Sequence, residues 1–153
     1  LRTAEAAGAA AVIVPRHRGV GITPVVAKVA SGAAARVPLI QAGNLARALR
    51  GLRDAGLTVI GTTGSAEQCL FDTDLTGPVA IVVGGEGRGL RRLTRELCDH
   101  EVQIPMRGSV ESLNLSVAAA VCLFEAVRQR HGGIGVEGTA GRTPARRGAP
   151  GML

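Results

Sequence analysis

With 153 residues the chain is sized for one domain that can bury a real core. Hydrophobic residues make up 46% of it but aromatics only 1%, so that core must be built from Val, Leu, Ile and Ala, and ring stacking on splayed bases is nearly excluded. A formal charge of +6 and a pI near 10.9 favour a polyanionic partner such as nucleic acid, although charge speaks to association and not to fold.

Of the 18 basic side chains only Lys28 is lysine, a bias that suits bidentate phosphate contacts but follows at least as well from a GC-rich genome. Cys69, Cys98 and Cys122 lack C-x-x-C spacing, so neither a disulfide framework nor a zinc site is implied. His17, His100 and His131 are scattered and form no cluster. No apolar run reaches the roughly 18 residues of a membrane span and no leader is visible, so the expectation is a cytoplasmic protein without membrane or metal.

In chain order, residues 1–7 read as helix, closed by Gly8 as a C-cap. A natural chain rarely begins inside a helix, so a piece of a longer protein is expected, with its preceding strand absent. Residues 10–14 form a short apolar run, a candidate buried parallel strand ended by Pro15. The basic loop Arg16-His17-Arg18-Gly19 is either an RNA contact or an ordinary solvated turn. Thr23-Pro24 gives an N-cap and a Pro at N1 for a helix to about Ser31.

Residues 37–40 are a second strand, and Asn44 caps an amphipathic helix with Leu45, Leu49 and Leu52 facing inward and Arg47, Arg50 and Arg53 outward. Gly56 closes it. Residues 57–60 are strand, followed by the turn Gly61-Thr62-Thr63-Gly64. Residues 65–77 read as a polar connection in which Asp72 and Asp74 cap loops better than they bind metal. A buried strand at 79–83 then delivers Gly84-Gly85-Glu86-Gly87-Arg88-Gly89, whose glycines admit close backbone approach to a ligand or merely a tight turn. The spacing fits neither G-x-G-x-x-G nor a P-loop.

Residues 90–97 read as helix, and Arg88, Arg91, Arg92 and Arg95 make the densest basic cluster of the chain. Residues 101–104 alternate as a half-exposed strand, and residues 112–130 form a long apolar helix. From His131 onward the composition turns to Gly, Pro, Thr and Arg without periodicity, which divides the chain into a domain over 1–131 and a disordered tail over 132–153. Strands alternating with helices predict an α/β domain with a mostly parallel sheet flanked by helices.

The run Val82-Val83-Gly84-Gly85-Glu86-Gly87-Arg88-Gly89-Leu90, with Ile104-Pro105-Met106 and Ser112-Leu113-Asn114-Leu115-Ser116, resembles motifs 2 and 3 of the SpoU (TrmH-like) RNA ribose 2′-O-methyltransferases. Leu1-Arg2-Thr3-Ala4-Glu5-Ala6-Ala7-Gly8-Ala9 resembles the second half of motif 1, whose initial asparagine would lie upstream. The resemblance covers about residues 1–131. Segments 28–34 and 37–40 look most like the bacterial branch that methylates a guanosine of 23S rRNA.

The resemblance implies a C-terminal trefoil knot of the SPOUT type, a homodimer with each site completed across the subunit boundary, and methyl transfer from S-adenosyl-L-methionine. It implies catalytic positions at Arg2, Glu86, Ser112 and Asn114. Cofactor contacts fall on Thr62 and Gly64 at the adenosine end, on the loop Gly84, Gly85, Glu86 and Gly87, and on Ile104, Met106, Leu113 and Asn114. RNA contacts are expected at Arg16, Arg18, Arg88, Arg91 and Arg92. A tRNA-modifying relative and a non-catalytic RNA-binding module are the alternatives, and an oxidoreductase is disfavoured because no ribose-binding acid stands at the expected distance.

Overall fold

The computed structural model describes residues 1–16, 36–84 and 89–132. The expected helix from Thr23, the segment 28–34, Arg18, the tip of the glycine loop at 85–88 and the tail from 133 lie outside the described residues.

Helix α1 spans Arg2–Ala6 and stops as its sequence demands. Gly8 adopts φ +69°, its N–H donates to the Glu5 carbonyl at 3.0 Å, and Ala9 N–H donates to the Ala4 carbonyl at 2.8 Å. That is a Schellman closure, open to glycine because the left-handed conformation carries no Cβ penalty there. The same device ends α2, Leu45–Asp54, where Gly56 has φ +89° and the N–H groups of Gly56 and Leu57 donate to Arg53 and Leu52. At the other end of α2 the Asn44 Oδ1 accepts the Arg47 N–H at 3.0 Å, and Leu49 is buried on the inner face.

Strands β1, Val12–Pro15, and β2, Leu39–Ala42, pair in parallel as a two-stranded sheet. β1 runs one residue and β2 two residues beyond the apolar runs expected for them, and Pro15 is the last residue of its strand. The larger sheet has the order β4-β6-β3-β5, all parallel, from β3 (Thr58–Thr62), β4 (Gln68–Cys69), β5 (Val79–Val83) and β6 (His100–Gln103). Helix α4, Leu115–His131, packs on β5, and α2 packs on β3.

The core joins Ile60, Leu70, Leu75, Val102, Cys122 and Ala126, with Val79, Ile81, Ile104 and Val121 against it. Leu70 and Leu75 correct the reading of 65–77 as a polar connection. That segment contains β4 and a 3-10 turn at Leu70–Asp72, and both leucines are fully buried. The loop's acid Asp74 accepts from the Thr76 N–H at 2.9 Å and its hydroxyl at 2.6 Å, bonds that hold its carboxyl below the ordinary range.

Four further expectations shift. β5 is half-buried at every position because it lies at the sheet's edge, not in its middle. The helix expected over 90–97 is a single turn, α3 at Arg92–Arg95, and the last helix starts at Leu115, with Asn114 and not Ser112 at its entrance. Gly61 and Thr62 belong to β3 and not to the turn after it.

Candidate functional site

Parallel pairing gives the sheet one edge where every strand ends. β3 is central, with Thr62 in register with Val83 of β5 on one side and Val102 of β6 on the other. The Thr62 hydroxyl donates to the Val82 carbonyl at 3.3 Å, and the Thr63 N–H donates to the Val102 carbonyl at 2.9 Å. The chain after β3 (Thr63-Gly64), the chain after β5 (Gly84) and the chain after β6 (Ile104 to Met106) therefore leave side by side. In open α/β sheets ligands bind outside these carboxyl ends.

The loop after β5 is pinched at its base. A Cβ on Gly84 would lie 2.4 Å from the Gly89 carbonyl carbon and 2.7 Å from the Leu90 nitrogen, so glycine alone lets the chain return on itself. Gly89 takes φ +56° to do so. Leu90 then packs over β3, where a Cβ on Gly61 would meet its Cδ1 at 2.7 Å and Cys98 Sγ at 2.6 Å. Gly85, Glu86, Gly87 and Arg88, which lie between these anchors in sequence, are outside the described residues.

The loop after β6 closes the third side. It runs from Ile104 to Asn114, and a Cβ on Gly64 would stand 3.9 Å from the Glu111 carbonyl oxygen. The segment entering Ser112, Leu113 and Asn114 thus lies against the turn after β3. Leu113 and Met106 are half-buried, whereas Ser112 and Asn114 are exposed. Asn114 caps α4, its Oδ1 accepting the Ser116 N–H at 2.9 Å and the Ser116 hydroxyl.

Thr62, Gly64, Gly84, Ile104, Met106, Leu113 and Asn114 are thereby carried by adjoining chain ends. Arg2 arrives differently. It opens α1, which packs against α4, and its exposed side chain makes no hydrogen bond or ion pair with a described residue. The expected RNA contacts also divide. Arg16 and Arg91 are exposed and unpaired among the described residues, while Arg92 bonds Glu96 at 2.7 Å. Arg95 of the same cluster is held by Glu101 through both its Nε and a terminal nitrogen, at 2.6 Å for the latter. That pairing raises Arg95 and lowers Glu101 from their ordinary pKa values.

The opposite edge carries a shallow depression lined by Arg50, Arg53, Asp54, Thr58, Asp99 and His100 among others. It lies at the starts of β3 and β6, away from the strand ends. Arg53 is taken up there by Asp99 at 3.1 Å, and Asp99 also accepts the Val59 N–H at 2.8 Å. Among the described residues no group of three or more His, Cys, Asp or Glu could hold a metal ion, and no helix is long and apolar enough to cross a membrane.

A parallel α/β sheet with a pinched glycine loop and a capped Ser-x-Asn turn beyond its strand ends has the architecture of a ligand-binding α/β protein. The chain matches the SpoU rRNA Methylase family over residues 1–124 and belongs to that family. It is 61% identical over 130 residues to the 23S rRNA (guanosine-2′-O-)-methyltransferase RlmB of Pseudomonas putida, and 65% identical to that of Ralstonia nicotianae, covering 85% of this chain and 52% of each relative. It spans about half the length of these relatives. Among solved structures, an RNA 2′-O ribose methyltransferase superposes with a TM-score of 0.76 at 39% identity, over 84% of this chain and 49% of the other. The AviRb SpoU methyltransferase of Streptomyces viridochromogenes in complex with AdoMet gives 0.74 at 34% identity, over 86% and 54%.

Proposed function

We propose that this chain is the methyl-transferring part of an RNA ribose 2′-O-methyltransferase that uses S-adenosyl-L-methionine, acting on a guanosine of 23S rRNA. The single observation that carries this reading is the meeting of the β3, β5 and β6 chain ends, with Gly64 set against the Glu111 carbonyl and Gly84 against Gly89. Identity above 60% to two 23S rRNA guanosine methyltransferases supports the choice of rRNA over tRNA.

The residues fit the methyl donor. The strand ends offer backbone N–H and C=O groups where Cβ atoms are missing, and Met106 and Leu113 supply apolar walls. The donor brings a methyl group on a sulfonium, already electrophilic. What remains for the protein is to align a ribose hydroxyl and draw off its proton.

Arg2 is assigned to the phosphate beside that ribose, where its fixed positive charge lowers the hydroxyl's pKa; a guanidinium, already protonated at neutral pH, does not take the proton itself. Asn114, able to donate and accept, orients the hydroxyl or the donor's carboxylate, with Ser112 beside it. Glu86 anchors the glycine loop or accepts the proton. Thr62, Gly64, Gly84, Gly85, Gly87, Ile104, Met106 and Leu113 hold the donor, and Arg16, Arg18, Arg88, Arg91 and Arg92 face the RNA.

A homodimer and a C-terminal trefoil knot, in a cytoplasmic protein, complete the proposal. Val117 and Phe124, seven residues apart and so on one face of α4, are each exposed at 47%, an apolar strip that a second copy would cover. Methyl transfer to unmodified 23S rRNA by the full-length protein tests the function: Arg2→Ala or Asn114→Ala should abolish it with the fold retained. Activity near wild type in either variant removes that residue from the mechanism. No heat or thermal shift on titrating S-adenosylmethionine would point instead to a non-catalytic RNA-binding module.

A further inference from the structure

The arginines of this chain sort by whether the protein itself uses them. Arg36, Arg53, Arg92, Arg95 and Arg128 are ion-paired to Glu5, Asp99, Glu96, Glu101 and Glu125, and Arg130 donates to the carbonyls of Leu75 and Gly77. Two that have no such bond with any described residue leave the strand-end edge itself. Arg91 follows the pinched loop after β5, and Arg107 stands in the loop after β6, immediately beyond Met106. Both are exposed.

Their placement is fixed by the sheet. The contact of Gly84 with Gly89 and the Leu90 nitrogen returns the chain to the end of β5 just before Arg91. Arg107 is four residues past the end of β6, in the loop that comes back to Gly64 at Glu111. Glu111, the acid of that loop, pairs with neither arginine. Because β3 lies between β5 and β6, the chain segments that carry Arg91 and Arg107 leave from strands on opposite flanks of the Thr62 to Gly64 turn. Two strand spacings separate those flanks at roughly 10 Å.

We infer that Arg107 is an RNA-backbone contact and that, with Arg91, it brackets the methyl-donor edge so that phosphates on either side of one splayed nucleotide are held. This rests on the reading above and extends it to a residue outside the family motifs. Two separated fixed charges suit single-stranded RNA. With two phenylalanines and no Tyr or Trp in the chain, aromatic stacking on bases is nearly excluded, and phosphate contacts can position a strand without reading it.

The test uses the full-length protein with in-vitro transcribed, unmodified 23S rRNA, measuring RNA affinity against salt, S-adenosylmethionine affinity by calorimetry, and methyl transfer. Arg107→Ala should raise the RNA dissociation constant and the RNA KM about fivefold and make the log–log salt slope shallower by about 0.7. S-adenosylmethionine affinity and kcat at saturating RNA should stay within twofold of wild type. Arg107→Lys should restore most of the slope, and Arg91→Ala should add its own loss. An unchanged slope and KM in Arg107→Ala, or a loss that falls on S-adenosylmethionine affinity, overturns the inference. If the wild type transfers no methyl group yet Arg107→Ala still flattens the salt slope, the RNA face stands and the catalytic reading falls.

Discussion

Leu90 rests on Gly61. The leucine that closes the glycine loop reaches across β3 at its one position without a side chain, and a Cβ there would stand 2.7 Å from Leu90 Cδ1 and 2.6 Å from Cys98 Sγ. The loop after β5 is thus anchored twice, by Gly84 against Gly89 at its base and by Leu90 on the neighbouring strand.

Gly61→Ala should therefore destabilise the fold by roughly 1–3 kcal/mol, the usual cost of overpacking, and displace Leu90 with the loop it follows. S-adenosylmethionine affinity, read by calorimetry, should fall about tenfold. In a Leu90→Ala/Cys98→Ala background the same substitution should cost less than twofold. Equal losses in both backgrounds would show that the contact does not position the loop.

Local signals in the sequence translated directly. Gly8, Asn44 and Gly56 each act within a few residues of themselves, so the cap chemistry that names them also places the ends of α1 and α2. Gly61 departs from its local signal for the complementary reason. In sequence it sits among small polar residues like a turn, and only the arrival of Leu90 and Cys98, about thirty residues later, explains it as strand. Leu70 and Leu75 were hidden similarly: five residues apart, they match neither a helical nor a strand period, and their burial comes from long-range packing under α4. At the site, the strand ends follow from the apolar runs, but the approach of Gly64 to Glu111 depends on sheet order, which no spacing encodes.

The last turns of α4 act as a clamp on the segment leading into β5. Gln129 Oε1 accepts the Leu75 N–H at 2.8 Å and its Nε2 donates to the Thr73 carbonyl at 2.9 Å and to Glu125 at 2.8 Å. Gln129→Ala strands a buried Leu75 N–H, so a loss of about 1–3 kcal/mol is expected from denaturant unfolding. A midpoint unchanged from wild type would mean water replaces the amide.

Glu125 adds a pH dependence to the same clamp. It is 6% exposed, and hydrogen bonds from Arg128, then Gln129, hold its carboxyl below the ordinary value of 4.5. A depressed acid stabilises the fold above its unfolded pKa, and that contribution disappears as pH falls through the folded value. Melting temperature should therefore drop as pH is lowered from 4.5, and less steeply in Glu125→Gln. Glu101, lowered by Arg95, and Asp74, lowered by Thr76, sustain part of the slope in that variant, so parallel curves for the two proteins would place the acid sensitivity at those acids instead.

The thiols should separate by environment. Burial pushes Cys122 up to about 11, and burial, with Glu101 and Asp99, also raises Cys98. Since the thiolate is the reactive form, iodoacetamide at pH 8 should modify half-buried Cys69 in the native protein and reach Cys122 only in denaturant. Peptide mapping that finds native Cys122 modified as fast as Cys69 would contradict its place in the core.

Asn114 holds two duties that substitution can pull apart. Its Oδ1 caps α4 by accepting from Ser116, and the proposed chemistry needs the amide as donor as well as acceptor. Asn114→Ala loses both, costing about 1 kcal/mol of stability together with methyl transfer. Asn114→Asp keeps the cap, and its negative charge suits a helix N-terminus, so its melting temperature at neutral pH should match or exceed that of the wild type. It loses the donating N–H, and methyl transfer in the full-length protein should fall at least a hundredfold. An aspartate variant that transfers methyl groups normally would leave Asn114 as the cap of α4 and nothing more.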